Sequence, residues 1–549
     1  MKKVSKVLAL CLAMVLVMSS LAACGGSSAP AAPAATEAAP AETLAVSGSN
    51  GETAVAADEM YDTIILAQNQ DITNMNPWVA TNSSYNVIGP EIYETLGAYD
   101  TFGGTFHGVL MSDWEFVDEK TVDVTLFENI YDTAGNHFTA SDVVFSCTKC
   151  WEKGELAETA IVETVEALDE YKVRFVFKKA MGLGDFESVM YNINMVTEAA
   201  FNASPDEMGT TPVGTGPYAL KKYVTGVSVS IEATGNYWQD PDKFVVPTQY
   251  SNVKNIVCQV ISESAQLATA LQTGSIAISD SVEGESAKEL LASADFGAFV
   301  YVDPNGRSLM CNMSPESPMS DINLRLAVAY AIDQESVMAF VNGGNTEALA
   351  TFGSTSYGDY NQAWNETNFP YNVDLAKEYL AKSNYPDGVT LKMNVIAGKE
   401  SDAETALVLQ QQLAEIGVDV EIQTLPIGQY LPLEHDPKGW DIAASGFPTY
   451  TGYLANAWQK YFDLNTLGST ETKNFWSDAK CQELMDACLN PQTYSSEAYD
   501  AFVSYLQENA VCKGLYTPTK NIIYNTGVIE SVVLNQALYM VPGAFTYAK

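Results

Sequence analysis

Strand and helix signals alternate along almost the whole body of this chain, and that interleaving restricts its fold more than any other feature. Val122, Val124 and Leu126 alternate with Asp123 and Thr125, and Val173, Phe175 and Phe177 repeat the pattern further on. A period of two marks strands with one buried face. Between them, Thr139-Ala-Ser-Asp142 has the form of a capping box opening a helix that runs toward Gly154. Asp321 to Val341 reads as a mostly apolar helix with an acidic start and Gly343-Gly344 beyond its end. Ala403 to Ile416 reads as another, stopped at Gly417, and Val418-Asp-Val-Glu-Ile422 then alternates as a strand. Such interleaving predicts an α/β protein.

The N-terminal residues follow other rules. Lys2, Lys3 and Lys6 are followed by an apolar run from Val7 to Leu21, interrupted only by Ser19 and Ser20. A membrane span needs ~20 apolar residues, so this run has the length and flanks of a secretory signal. Leu21-Ala22-Ala23-Cys24 resembles a lipobox, at which the thiol is acylated and the chain is cut before it. Residues 1–23 are therefore expected to be a lipoprotein signal peptide, with Cys24 as the lipidation site. Residues 24–57 are almost wholly Ala, Gly, Ser, Pro, Thr and Glu, with no aromatic side chain. They cannot bury enough apolar surface to offset the entropy of ordering, and are expected to form a disordered spacer. An anchor followed by a spacer suits a domain that reaches a partner in the same membrane; two or more acyl chains hold it stably. The expected location is the cell envelope, on the outer face of the cytoplasmic membrane. No later run of ~18 apolar residues follows, so the body is expected to be soluble.

Composition narrows the function. The chain is 47% hydrophobic and 11% aromatic, ample for sizeable cores, and its length favours two or more domains. Its net charge of −40 repels phosphate backbones and anionic headgroups, which argues against nucleic acid as a partner. Of nine cysteines, Cys11 leaves with the signal and Cys24 carries the lipid. Seven remain, so at least one thiol stays free or pairs between chains; so many unpatterned cysteines in an exported protein suggest an anoxic habitat. Cys147 and Cys150 form a C-x-x-C, but beyond the first turn of a helix rather than at its start, which favours a structural role. Cys481 and Cys488 are spaced to share a helical face. His107, His137 and His435 lie far apart and show no metal-ligand spacing. There is no G-x-S-x-G, Walker loop or dinucleotide fingerprint. No catalytic, metal or cofactor site is expected.

Seven segments, in order, resemble the dipeptide/oligopeptide-type (extracellular family 5) solute-binding proteins of ABC importers. Asn74-Met-Asn-Pro77 is similar to the family's early "sLdP" turn, and Glu91-Ile-Tyr-Glu-Thr-Leu96 to "iyegL". Asp132 to Ser146 is similar to "hdGepftAeDVvfs". Pro212-Val-Gly-Thr-Gly-Pro-Tyr218 and then Asn236-Tyr-Trp238 resemble "pvGTGPYkl…Np.Yw". Asn312, Asp321-Ile-Asn-Leu-Arg325 and Ala331-Ile-Asp333 resemble "fN…D..vRqAl.yAiD", and Asp374 to Leu380 "dpekAkelLa". The resemblance implies a two-lobed, periplasmic-binding-protein-like α/β fold of type II that closes over ligand like a hinged clamp. On that pattern residues 58–90, 196–279 and 506–549 build the first lobe, 91–195 an extra subdomain of it, and 280–505 the second lobe.

The same resemblance implies a monomeric, non-enzymatic binder that hands a small solute, foremost a peptide, to importer permease subunits. Peptide-binding relatives hold an extended ligand by main-chain hydrogen bonds, and an aspartate after a "GW" turn neutralises its α-amino group. Here the matching stretch is Gly446-Phe-Pro-Thr-Tyr450, with Tyr450 in the aspartate's place, and Pro448 has no N–H to donate. A buried ammonium without a counter-charge is costly, which argues against capture of a free peptide N-terminus. The candidate ligand-binding residues are Thr81, Asn82 and Ser83, whose turn lies where relatives pair with ligand backbone, together with Arg325, Gly446, Phe447 and Tyr450. Trp440, Tyr453 and Trp458 are further aromatic candidates, with core packing as the alternative. A surface sensor of a peptide signal with the same clamp, a binder of oligosaccharide or another non-peptide ligand, and a secreted hydrolase are the competing functions.

Overall fold

The computed structural model describes residues 59–79, 83–153, 159, 161–282, 284–397, 399–446, 451–464 and 476–548. The expected signal peptide, Cys24 and the spacer lie outside these residues. Among those described, no helix is long and apolar enough to cross a membrane.

The fold is mixed α/β, with twelve strands in one hydrogen-bonded sheet. Along one half run Tyr218–Val224, Ser228–Ala233, Val253–Val260, Tyr61–Gln68 and Ile278–Ser279; along the other, Val418–Leu425, Val389–Ile396, Ile442–Ser445 and Arg307–Cys311. Tyr61–Gln68 pairs parallel with Val253–Val260, and Val389–Ile396 parallel with Val418–Leu425. A single long strand, Cys512–Asn525, serves both halves. Its beginning pairs with Arg307–Cys311 and Thr346–Ala348, and its end with Phe296–Val302 and Ile278–Ser279.

Pro518 stands where the long strand changes partners. Proline donates nothing to a ladder, but its carbonyl accepts the N–H of Asp303 at 2.9 Å. Asp303 also pairs with Lys520 at 2.9 Å. The chain crosses between the halves at Asp303–Gly306, beside the long strand's own crossing. Gly446 closes on the same place: a Cβ there would sit 1.7 Å from the Gly306 carbonyl oxygen, so no side chain fits without moving backbone.

A separate four-stranded antiparallel sheet, in the order Met111–Asp118, Thr121–Leu126, Lys172–Phe177 and Val162–Ala167, packs under the helix Ala140–Lys153. Asp142 opens that helix as expected, accepting the Thr139 N–H at 2.8 Å. It also accepts the Glu198 N–H at 2.8 Å. Cys147 and Cys150 are buried on this helix, and burial pushes both thiols up. All seven described cysteines are buried and unbonded.

One expected element divides. The run from Asp321 to Val341 is two helices, Ile322–Ala331 and Gln334–Phe340, with Ile332 extended between them. No glycine or proline announces the break. The cause is tertiary: the Gln412 side-chain carbonyl takes the Asp333 N–H at 3.1 Å, and Gln412 donates back to the Asp333 carbonyl at 3.2 Å. The helix Glu400–Ala414 ends as expected before Gly417, whose φ of 85° suits glycine.

Candidate functional site

The segments that stand out in the sequence fold into braces. Glu94 is 3% exposed and accepts from the Tyr237 hydroxyl and, at 2.9 Å, from the Trp238 indole N–H. Burial pushes its carboxyl up to about 7, against the opposing pull of those donors. Glu91 accepts the Gly543 N–H at 2.9 Å, and burial raises it to about 8. Gly214 lies against the Ile92 carbonyl, where a Cβ would come within 2.1 Å of the oxygen. Asn312 donates to the Pro437 and Trp440 carbonyls at 3.0 and 2.6 Å.

Arg325 belongs to the same group. It is 5% exposed, and its guanidinium donates to the carbonyls of Met319 at 2.7 Å, Ser320 at 2.9 Å and Asn509 at 3.1 Å. What it holds is main chain: it ties its own helix to the end of the helix Ser496–Glu508. Trp440 and Trp458 are core residues as well, their indole N–H groups donating to the Glu434 and Phe352 carbonyls at 3.1 and 3.0 Å. Tyr453 stands more open, edge-on to Tyr494 at 5.8 Å. Thr81, Asn82, Phe447 and Tyr450 lie outside the described residues, as does the side chain of Ser83, which begins the helix Ser83–Ile92. Gly446 sits at the crossing between the halves.

The two halves touch away from that crossing too. The Tyr99 hydroxyl donates to the Thr451 carbonyl at 2.9 Å. The Leu183 N–H donates to the Leu489 carbonyl at 2.8 Å, and Asn456 returns a bond to the Leu183 carbonyl at 3.1 Å. Phe102 packs edge-on to Tyr357 at 5.3 Å. Residues of the first half and of the small antiparallel sheet's loops thus meet residues 357–489 of the second.

Two recesses border these contacts. One of 790 Å³ lies between Phe116, Asp118, Glu119 and residues 179–187 on one side and Gln459, Asp463, Gln482, Asp486 and residues 489–492 on the other. Its charged lining is mostly acidic, with Lys179 the exception, and burial raises the carboxyls of Asp185 and Glu187. The other, of 330 Å³, is lined by Trp78, Tyr93, Glu94, Tyr99, Tyr191 and Gln536 among others. Tyr99 links it to the closing surface, since its backbone N–H donates to the Gln536 side-chain oxygen while its hydroxyl reaches Thr451. No sequence pattern singled out Tyr99, Tyr191 or Gln536, which come from distant parts of the chain. Among the described residues, no group of three or more His, Cys, Asp or Glu is arranged to hold a metal ion.

Comparison with known proteins agrees with this architecture. Residues 76–469 match the bacterial extracellular solute-binding proteins, family 5 (Middle). The glutathione-binding protein GsiB of Escherichia coli (strain K12) is 22% identical over 488 residues, 86% of this chain and 89% of that protein. HbpA2 from Haemophilus parasuis superposes with a TM-score of 0.76 at 16% identity, covering 89% of this chain and 100% of that one. The ABC transporter-associated periplasmic binding protein DppA from Helicobacter pylori, solved with the peptide STSA, gives a TM-score of 0.72 at 19% identity, covering 88% and 98%.

Proposed function

The chain belongs to the family 5 bacterial extracellular solute-binding proteins, and from that premise we propose that it closes two lobes over a peptide and delivers it unchanged to an ABC importer. The family is one of binding proteins, not of enzymes. The observation that carries the peptide-clamp reading is the pairing of a narrow crossing with remote contact: halves joined at Asp303–Gly306 and at Pro518 meet again through Tyr99–Thr451 and Leu183–Leu489. A joint with two strands and a separate closing surface is what a hinge requires. On this reading the first lobe comprises residues 59–302 and 519–548, and the second 307–517. The family pattern alone puts those divisions near 280 and 505.

Thr81, Asn82, Ser83, Gly446, Phe447 and Tyr450 are assigned to the cleft lining, by their places beside the first-half helix Ser83–Ile92 and beyond the second-half strand Ile442–Ser445. Cys24 is assigned as the lipid attachment that keeps a monomeric clamp on the outer face of the membrane beside its permease. The peptide class is favoured by DppA's bound peptide and by the glutathione named for GsiB. A thermal-shift screen with free peptides, N-acetylated peptides, glutathione, oligosaccharides and metal chelates tests the reading. N-acetylated peptides are expected to raise the melting temperature at least as much as free ones, because Tyr450 replaces the usual counter-charge. Stabilisation by sugars or chelates alone would contradict it.

A further inference from the structure

The recess beside Tyr99 has a volume of 330 Å³, room enough for a large side chain. Trp78, Tyr85, Tyr93, Tyr99 and Tyr191 supply aromatic faces among its aliphatic and polar walls. Gln536 also lines it and is only 1% exposed. The orientation of that amide follows from chemistry. The Tyr99 backbone N–H can only donate, so the atom facing it is the Gln536 oxygen. The other end is therefore the NH₂ group, and Nε2 has no hydrogen-bond partner among the described residues. A buried donor left unpaired is costly, so the site is incomplete as these residues build it.

We propose that this cavity is a side-chain pocket of the solute site, taking a large uncharged aromatic side chain that brings a hydrogen-bond acceptor to Gln536 Nε2, tyrosine ahead of phenylalanine. The proposal rests on the peptide reading and goes further by naming the residue class. Aromatic faces and this volume suit a ring rather than a methyl group. Among the described residues no lysine or arginine lines the cavity, so an acidic side chain would meet no counter-charge from them. A basic one would meet Glu94, but burial favours that carboxyl's neutral form and its oxygens already accept from Tyr237 and Trp238. Tyr99 couples filling to closure: the acceptor fixes Gln536, Gln536 holds the Tyr99 N–H, and the Tyr99 hydroxyl reaches Thr451 across the cleft.

Calorimetric titration of the purified chain tests this, using trialanine and tripeptides in which one alanine is replaced, at each position in turn, by Tyr, Phe, Lys or Glu. The best tyrosine peptide is expected to bind about thirtyfold tighter than trialanine. It should bind about fivefold tighter than its phenylalanine counterpart. Gln536→Met should abolish the preference for tyrosine over phenylalanine. Ala98→Leu, which fills part of the cavity while leaving Gln536 in place, should bring both aromatic peptides down toward trialanine; melting temperatures verify that each variant folds. Equal affinity for every tripeptide, or a tyrosine preference that survives both variants, would overturn the pocket while leaving the peptide reading intact. If no tripeptide binds, the peptide reading fails and the pocket falls with it.

Discussion

The two halves of this protein differ in the buried side chains that brace their main chain. In the first half the braces are acids: Glu91 accepts the Gly543 N–H, and Asp142 accepts from Thr139 and Glu198. In the second, acids serve as well, as where Asp441 accepts the Lys392 N–H at 2.8 Å, but buried bases join them. Arg325 gathers three carbonyls, and Lys513, 2% exposed, donates to the Phe369 carbonyl at 2.6 Å. The task is the same, since buried peptide groups must find partners. The difference lies in which peptide group was left over. Acids meet stray N–H groups and bases meet stray carbonyls, and a buried brace of each kind should therefore respond oppositely to pH.

Breaking the second-half brace should have the largest effect. Arg325→Met leaves the Met319, Ser320 and Asn509 carbonyls without that donor and should cost about 3 kcal/mol in urea unfolding. Peptide affinity of the folded fraction should stay within twofold or so of wild type; a large affinity loss without destabilisation would make Arg325 a ligand contact instead.

The pH responses sharpen the comparison. Burial lowers Lys513 to about 7 from its ordinary 10.5. Below pH 7 it is charged in both folded and unfolded chains and the burial cost is fully present; as pH rises through that window the folded state sheds its proton first and stability recovers. Wild type should therefore gain about 2 kcal/mol relative to Lys513→Met between pH 7 and 9. Glu91 runs the other way. Its folded value of about 8 exceeds the ordinary 4.5, so its contribution is complete below pH 4.5 and is lost as pH climbs to 8. Wild type should lose about 2 kcal/mol relative to Glu91→Gln between pH 5 and 7, by the same unfolding measurement. Slopes of the same sign for both pairs would break the comparison. The smallest effect is expected where the halves meet: Tyr99→Phe removes only the bond to the Thr451 carbonyl and should weaken peptide binding about threefold without altering the melting temperature.

These braces explain what was readable from residues alone. Glu94 with Tyr237 and Trp238, Gly214 against Ile92, and Asn312 under Trp440 each require a particular side chain at a fixed offset. Such requirements leave compact patterns, and those patterns carried the family resemblance. Strand alternation was equally legible, because a half-buried strand such as Thr121–Leu126 must place apolar side chains on one face. The break at Ile332 was not legible, since its cause, Gln412, lies 79 residues away from Asp333. Nor did any pattern mark Pro518 as the point where one strand passes between half-sheets. The cleft was the least legible part. Tyr99 and Gln536 are 437 positions apart and meet only in the folded chain. A binding surface is defined by the shape of what it holds, so it leaves no periodic trace.

Native mass spectrometry of the chain mixed with an equimolar pool of the same tripeptides tests the central claim most directly. One peptide per chain, released on unfolding with its mass unchanged and enriched in aromatic members, is the result expected of a clamp that encloses its solute. A chain that retains no peptide, or that returns hydrolysed fragments, would contradict it.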